Sequence, residues 1–271
     1  MFEATFLGTG TSVGVPMIGC DCETCQSDDP RDKRTRSSLY VRTEKVSLIV
    51  DTGPELRIQC LREKIRSLDA VLYTHGHMDH IVGFDDLRRF SIESDERIQV
   101  YGRAPTLTML ISMYPFAFLP HQTEARGYIK PVLNEIHGPF VLEDLEITPF
   151  KVEHGRADTI GFLFSQNGRK LLAYASDCKR MPEESQELIR DVDTLAIDGL
   201  RFREHPTHLS IPESIALSEQ VKPRQTFLMH LTCDVKHSVV EPNLPEGVKL
   251  SYDGLKLRIE NGELKIKDGA S

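Results

Sequence analysis

Residues 74–80 read Thr-His-Gly-His-Met-Asp-His, which places three imidazoles and one carboxylate within seven positions. They follow the apolar run at 70–73, so they fall on the turn between a strand and a helix, where side chains stand clear of the core. His75 and His77 flank a small glycine and can reach one ion, while Asp79 and His80 turn toward a second as the helix begins. Donors this dense point to metal ligation; the bland alternative is three histidines satisfied separately in a loop. Single donors recur where later apolar runs end: His154 after 147–153, Asp177 after 171–176 and His230 after 226–229. Alone, each reads as an ordinary polar residue at a strand end. Together they complete two sites of nitrogen and oxygen ligands.

A second cluster lies near the N-terminus, where Cys20, Cys22 and Cys25 form a CxCxxC pattern in a chain of six cysteines. In a reducing compartment such thiols bind metal more often than they form disulfides; a redox pair and three unrelated thiols are the alternatives. Cys60 and Cys178 stand apart and read as free thiols, the first as a small packing residue in a helical segment.

These groups need elements to hold them. Strands are expected at 3–7, 38–42, 46–50, 70–73, 140–143, 145–152, 194–197 and 226–229, with a hairpin turning at Asn167-Gly168. Helices are expected after Pro54, Asp79, Pro105 and Ser210, where Ser210 with Glu213 makes a capping box and Pro212 suits the first turn. No repeat or low-complexity segment divides the chain, so one α/β domain over 1–271 is expected. The aromatic, proline-broken stretch 113–126 reads as a packed loop or as a lid over a site. A formal charge of -8 argues against a general grip on nucleic acid. No run approaches the roughly 20 apolar residues of a membrane helix, and the first residues lack a signal-peptide pattern, so a cytoplasmic chain with no membrane partner is expected.

The order HxHxDH, followed by His, Asp and His at strand ends, resembles the metallo-β-lactamase superfamily over nearly the whole chain. Asp51, in Val-Asp-Thr-Gly-Pro-Glu, matches that superfamily's first motif, a strand-end aspartate beneath the metals. A turn-forming aspartate ahead of Gly53-Pro54 is the local alternative. The resemblance implies an αββα four-layer sandwich with the metals at one edge of its two sheets. It places His75, His77 and His154 on one ion and Asp79, His80 and His230 on the other, with Asp177 between them. Two such ions activate a water and polarise a phosphoryl or carbonyl group, so hydrolysis is the implied reaction. Zinc, manganese and iron all suit these donors.

Cys233 stands three residues beyond His230, and the same strand end can present His230 to one site and Cys233 to its neighbour. That gives the CxCxxC cluster its fourth thiolate, a closed structural zinc site that would staple the N-terminal loop, about 8–36, to the active-site edge. The run 8–25, a basic stretch and then Ser-Ser-Leu-Tyr-Val are similar to the PhnP family of cyclic phosphodiesterases, and more loosely to the PqqB family of quinone-cofactor biosynthesis. PqqB-like chains lack the complete HxHxDH, which this chain has. PhnP-like chains carry a histidine at the position of Cys233; a thiolate keeps such a site tetrahedral.

His208 aligns with a histidine that precedes a helix in PhnP-like enzymes and protonates the leaving alkoxide; without the resemblance it is a surface residue at a helix start. His205, His121 and His237 read as solvated loop residues. The basic run 29–38 reads as a solvated face, with Arg36 the member to test as a phosphate clamp. Residues 8–14 look like a phosphate cradle but lack the Walker lysine, and read as a tight loop near the metals.

The function implied is a metal-dependent phosphodiesterase that opens a small cyclic phosphate, ribose 1,2-cyclic or nucleoside 2′,3′-cyclic. Asp79 serves the metal-activated water and His208 protonates the departing oxygen. A thioester or β-lactam hydrolase on the same scaffold, RNA 3′-end processing, and a PqqB-like accessory or metal-binding role are the alternatives. A homodimer is the default assembly.

Overall fold

The computed structural model describes residues 1–91, 97–119, 128–260 and 263–267. Its backbone forms two mixed sheets. The first contains β1 (Phe2–Gly8), β2 (Ser38–Arg42), β3 (Ser47–Val50), β4 (Ala70–Leu72), β5 (Ile98–Gly102) and β6 (Pro131–Glu135), with β14 (Lys256–Glu260) and β15 (Glu263–Lys267) added on the β1 side. The second runs from β7 (Phe140–Leu142) through β8 (Leu145–His154), β9 (Ala157–Gln166), β10 (Arg169–Ala175), β11 (Thr194–Asp198) and β12 (Gln225–Met229) to β13 (Val248–Leu250). The expected hairpin is the β9–β10 connection, with Asn167 and Gly168 both at positive φ.

Three apolar clusters show how the layers stack. Between the sheets, Phe6, Leu39, Leu48, Phe162, Tyr174 and Phe227 pack with their neighbours. On the outer face of the first sheet, Ile49, Val71 and Val100 meet Leu56 of α1 (Leu56–Arg62), Ile81 of α2 (Met78–Ile81) and Leu110 of α3 (Ala104–Met113). On the outer face of the second, Ala173, Leu195 and Leu228 meet Ile189 of α4 (Glu183–Ile189), Ile211 of α5 (Ile211–Val221) and Val240 of α6 (His237–Val240). Strands buried on both faces are largely apolar, as in β3 and β11, and this is the αββα sandwich expected. Ser210 caps α5 with the anticipated reciprocal pair to Glu213.

The structure corrects several details. The helix after Asp79 is a single turn, Met78–Ile81, which passes into the 3-10 segment Phe84–Phe90. The stretch at 113–126 is described only as far as Leu119, where it packs rather than covers: Tyr114 is buried and its hydroxyl donates to the Val82 carbonyl at 2.7 Å. His121 lies outside the described residues. The basic run is not a solvated face. Arg34 and Asp32 form a fully buried ion pair at 3.2 Å, because the N-terminal loop folds over them and the Arg34 Nη1 donates to the Thr232 carbonyl at 3.1 Å. His237 is likewise buried rather than solvated; its backbone N–H donates to Asp32 at 2.8 Å and its ring meets Tyr252 edge-on. No helix among the described residues is long and apolar enough to cross a membrane.

Candidate metal centre and active site

In open α/β sheets, ligands gather beyond the carboxyl ends of parallel strands, and this chain follows that rule. β3 and β4 pair in parallel, as do β10, β11 and β12. Asp51 follows β3, residues 74–80 follow β4, Asp177 follows β10 and His230 follows β12, while His154 ends β8. Both sheets therefore deliver side chains to one edge of the sandwich.

There the donor atoms converge. His75 Nε2 lies 2.8 Å from His77 Nδ1, which in turn lies 3.3 Å from His154 Nε2. Across from them, His80 Nε2 stands 3.1 Å from Asp177 Oδ1 and 3.3 Å from Asp79 Oδ2. Ligand atoms of His75, His77 and His154, of His75, His80 and Asp177, and of Asp79, Asp177 and His230 each fall within 4.8 Å of one another. Buried polar atoms normally find hydrogen-bond partners, yet His80 Nε2 and Asp177 Oδ1 make no hydrogen bond despite their separation. Two orphaned, fully buried donor atoms directed into one space fit a divalent cation. Burial also holds the imidazoles of His75, His77 and His154 below their usual range and brings His230 down to about 4, so each presents the neutral lone pair that ligation needs. His80 is the exception: burial opposes its charge, but the carboxylates of Asp177, Asp51 and Asp79 outweigh that and raise it.

The ring nitrogens that face away are anchored. His80 Nδ1 lies 2.8 Å from Asp51 Oδ2, and His154 Nδ1 lies 2.8 Å from the Thr207 carbonyl. Such outer partners orient a ligating imidazole and fix which nitrogen faces the metal. Asp51 thus stands beneath the cluster, as its motif suggests. It sits at φ 62, and its carboxylate also accepts from the Thr74 amide at 2.9 Å and the Thr74 hydroxyl at 2.8 Å. Asp51→Ala is expected to weaken metal retention by about 10–100-fold, read as metal content after graded dialysis against chelator.

His208 comes to the same edge. Its ring stacks on His230 with centroids 4.8 Å apart and lies 4.6 Å from His154, and its Nδ1 is 2.6 Å from the buried Asp198 Oδ2. Burial pushes the Asp198 carboxyl up and the His208 imidazole down. When the ring is protonated, Nδ1 donates to Asp198 and Nε2 carries the second hydrogen, which it can donate toward the cluster. Asp198 was not anticipated. It ends an apolar run, β11, in the same way that Asp177 follows β10, so the sequence did carry a signal for it. His205 is half-exposed beside His208, with ring centroids 5.1 Å apart.

The sulfurs of Cys20, Cys22, Cys25 and Cys233 lie within 4.8 Å of one another, which fits a closed tetrahedral thiolate site. The Cys25 amide, donating to the Cys22 sulfur, pulls that thiol down to about 7, whereas burial pushes Cys25 and Cys233 up. Bridges from Gly10 to Arg36 and Leu231, and from Val15 to Arg34, tie this loop to the sheet edge that carries His230. Cys233→Ala is expected to lower zinc by about one ion per chain and to reduce the thermal midpoint, measured by elemental analysis and calorimetry. Cys178 is fully buried and Cys60 has its thiol pushed up to about 12 by burial, so neither is a reactive thiolate. Arg36 is engaged by Glu55 and by the Ser12 carbonyl at 3.1 Å, so it is not a free phosphate clamp.

Residues 47–231 match the β-lactamase superfamily domain. Among solved structures, a diphosphatase from the PhnP family is similar at 34% identity and a TM-score of 0.88, covering 98% of this chain and 100% of that one. Zinc-bound PqqB from Methylobacterium extorquens shares the fold at 22% identity and a TM-score of 0.76, covering 95% of this chain and 100% of its own. A protein of Porphyromonas gingivalis strain W83 described as an octanoyltransferase is 34% identical over 265 residues, 97% of this chain, and the chain spans only 52% of its length. The chain belongs to the β-lactamase superfamily, and the domain has the fold of that superfamily's metal-dependent hydrolases.

Proposed function

We propose that this domain hydrolyses a small phosphodiester, a ribose 1,2-cyclic or nucleoside 2′,3′-cyclic phosphate. His75, His77 and His154 would hold one divalent ion, Asp79, His80 and His230 a second, and Asp177 would stand between them. When bound, such ions lower the pKa of a water and polarise a phosphoryl oxygen. The observation that carries the reading is the Asp198–His208 pair, because a buried carboxylate at 2.6 Å fixes an imidazole whose other nitrogen faces the donor cluster. A sugar alkoxide is a poor leaving group, and a placed proton donor relieves it, an effect of about 10²–10⁴-fold. Asp79 keeps its carboxyl ionised, since burial is outweighed by the charge of His80, and so serves as an anionic ligand.

A second reading is cleavage of a phosphoanhydride, favoured by the 34% identity to the PhnP-family diphosphatase. The activity printed for the Porphyromonas relative does not transfer, because about half of that protein lies outside the match. Phosphorus NMR on zinc- and manganese-loaded protein separates the two readings, with both cyclic esters and a symmetric dinucleoside diphosphate offered in parallel. Ring opening faster than anhydride cleavage is expected. Anhydride cleavage alone would replace the first reading with the second, and turnover of neither would direct attention to thioesters and to a non-catalytic accessory role.

A further inference from the structure

His230 sits at φ 59, a backbone setting that residues with a side chain keep only where their surroundings hold them. The N-terminal loop supplies that hold. The Leu231 amide donates to the Thr9 carbonyl at 2.9 Å, and the Thr11 amide donates to the Leu231 carbonyl at 3.2 Å. Between those two residues, the Gly10 amide donates to the Thr35 carbonyl at 2.8 Å. The Gly10 backbone runs so close to the next segment that an added Cβ would meet the Arg34 carbonyl at 2.7 Å. The Gly10 carbonyl is therefore a fixed acceptor beside His230. Ser37 links the two: it is buried, its hydroxyl donates to the Gly10 carbonyl at 3.1 Å, and the same oxygen lies 3.0 Å from His230 Nδ1. The next residue, Ser38, donates to the Asp51 carbonyl at 2.8 Å, so this short stretch also braces the residue beneath His80.

A serine hydroxyl has one hydrogen to give. With that hydrogen on the Gly10 carbonyl, the Ser37 oxygen accepts from His230, which places the ring hydrogen on Nδ1 and the lone pair on Nε2. Were the hydrogen turned onto Nδ1 instead, Nε2 would carry the ring hydrogen and could not ligate. Asp177 Oδ1 stands 3.5 Å from Nδ1, beyond a good hydrogen bond, so it does not compete with Ser37 for that atom. We infer that Ser37 is a positioning residue: backed by the Gly10 carbonyl, it sets the His230 tautomer in which Nε2 holds the second ion, and the N-terminal loop thereby governs occupancy of that ion. Ser37 is to His230 what Asp51 is to His80 and the Thr207 carbonyl to His154. The inference rests on the two-ion arrangement proposed above and is independent of the substrate.

The test compares metal per chain, after dialysis against graded chelator, for the zinc-loaded parent, Ser37→Ala, and the equally shaped pair Ser37→Thr and Ser37→Val. The parent is expected to hold about three ions, two at the His/Asp edge and one among the cysteines. Ser37→Ala is expected to hold one His/Asp ion about 10–100-fold more weakly. Ser37→Thr, which keeps the hydroxyl, is expected to retain that ion better than Ser37→Val, which fills the same space without it. Cobalt loading identifies which ion leaves, because thiolate ligation gives an absorption band that the His/Asp sites lack. An alanine variant with parental affinity, or a tighter one, overturns the inference and makes Nδ1 itself the ligating atom. Loss of the thiolate-bound ion instead, or a threonine variant no better than valine, traces the effect to packing and overturns it as well. A parent with a single ion at the His/Asp edge fails the two-ion arrangement and the inference together, whereas two ions in the parent and an indifferent alanine variant sink the inference alone.

Discussion

Asp177→Ala is expected to lower activity on any phosphoester substrate by about 10³-fold or more and to reduce bound divalent metal, because a metal's contribution to the transition state amounts to several kcal/mol and each 1.36 kcal/mol is tenfold in rate. The reason is its position. Its two oxygens face His80 Nε2 at 3.1 Å, His230 Nδ1 at 3.5 Å and His154 Nε2 at 3.7 Å, so it is the carboxylate shared by both groups of ligands. Although buried, its carboxyl is held well below the usual range, since its electrostatic interactions with the His230 and His80 rings, and the hydrogen bond from His80, outweigh the penalty of burial. It therefore brings negative charge to the point where two cations would otherwise repel each other. Metal per chain, measured by elemental analysis beside turnover, discriminates between outcomes. A variant that keeps its full metal complement and its rate would refute the shared-ligand assignment, whereas loss of both with an unchanged far-ultraviolet circular dichroism spectrum would support it. Asp177→Asn keeps the shape and removes the charge, and an intermediate metal loss there would locate the effect in electrostatics.

Why Asp177 could be found in the sequence, and some of its neighbours could not, follows from what each position depends on. His75, His77, Asp79 and His80 are local to one turn, so their density alone announced them. Asp177 and His230 were legible because apolar runs ending in a single donor place it at a sheet edge. Asp198 obeys the same pattern but was passed over, because its role emerges only when the loop after β11 brings His208 back to within 2.6 Å. The buried Arg34–Asp32 pair was misread for a related reason. Alternating charges look solvated unless a distant segment covers them, and here that segment includes Thr232, some 198 residues along the chain. Among the elements, β14 carries buried Leu257 and Ile259 between partly exposed charged residues, and β5 buries Ile98 and Val100 between Gln99 and Tyr101. Both were missed because runs of branched residues weighed more than this two-residue alternation, which is the mark of strands with one wetter face.

His208→Ala is expected to reduce kcat on a cyclic phosphate by about 10²–10⁴-fold while leaving metal content near that of the parent. This pairing of outcomes matters because ligand atoms of His208, His154 and Asp177 also lie within 4.8 Å of one another, which would let the ring act as a ligand. The engagement of Nδ1 by Asp198 leaves Nε2 as the only ring atom free to serve either role. Leaving-group chemistry tells them apart. If His208 donates a proton, its removal should hardly affect an aryl phosphodiester, whose phenolate departs without protonation, and should strongly affect an ester that expels a sugar alkoxide. If it ligates metal, both substrates should slow together and the metal content should fall. Asp198→Asn offers an intermediate case: the amide can still hold the ring at Nδ1, but it cannot supply the charge that supports an imidazolium, so kcat should fall on the alkoxide ester with KM little changed. Equal losses on both esters in His208→Ala with metal content unchanged would leave the pair a structural one and remove the proton donor from the proposed reaction.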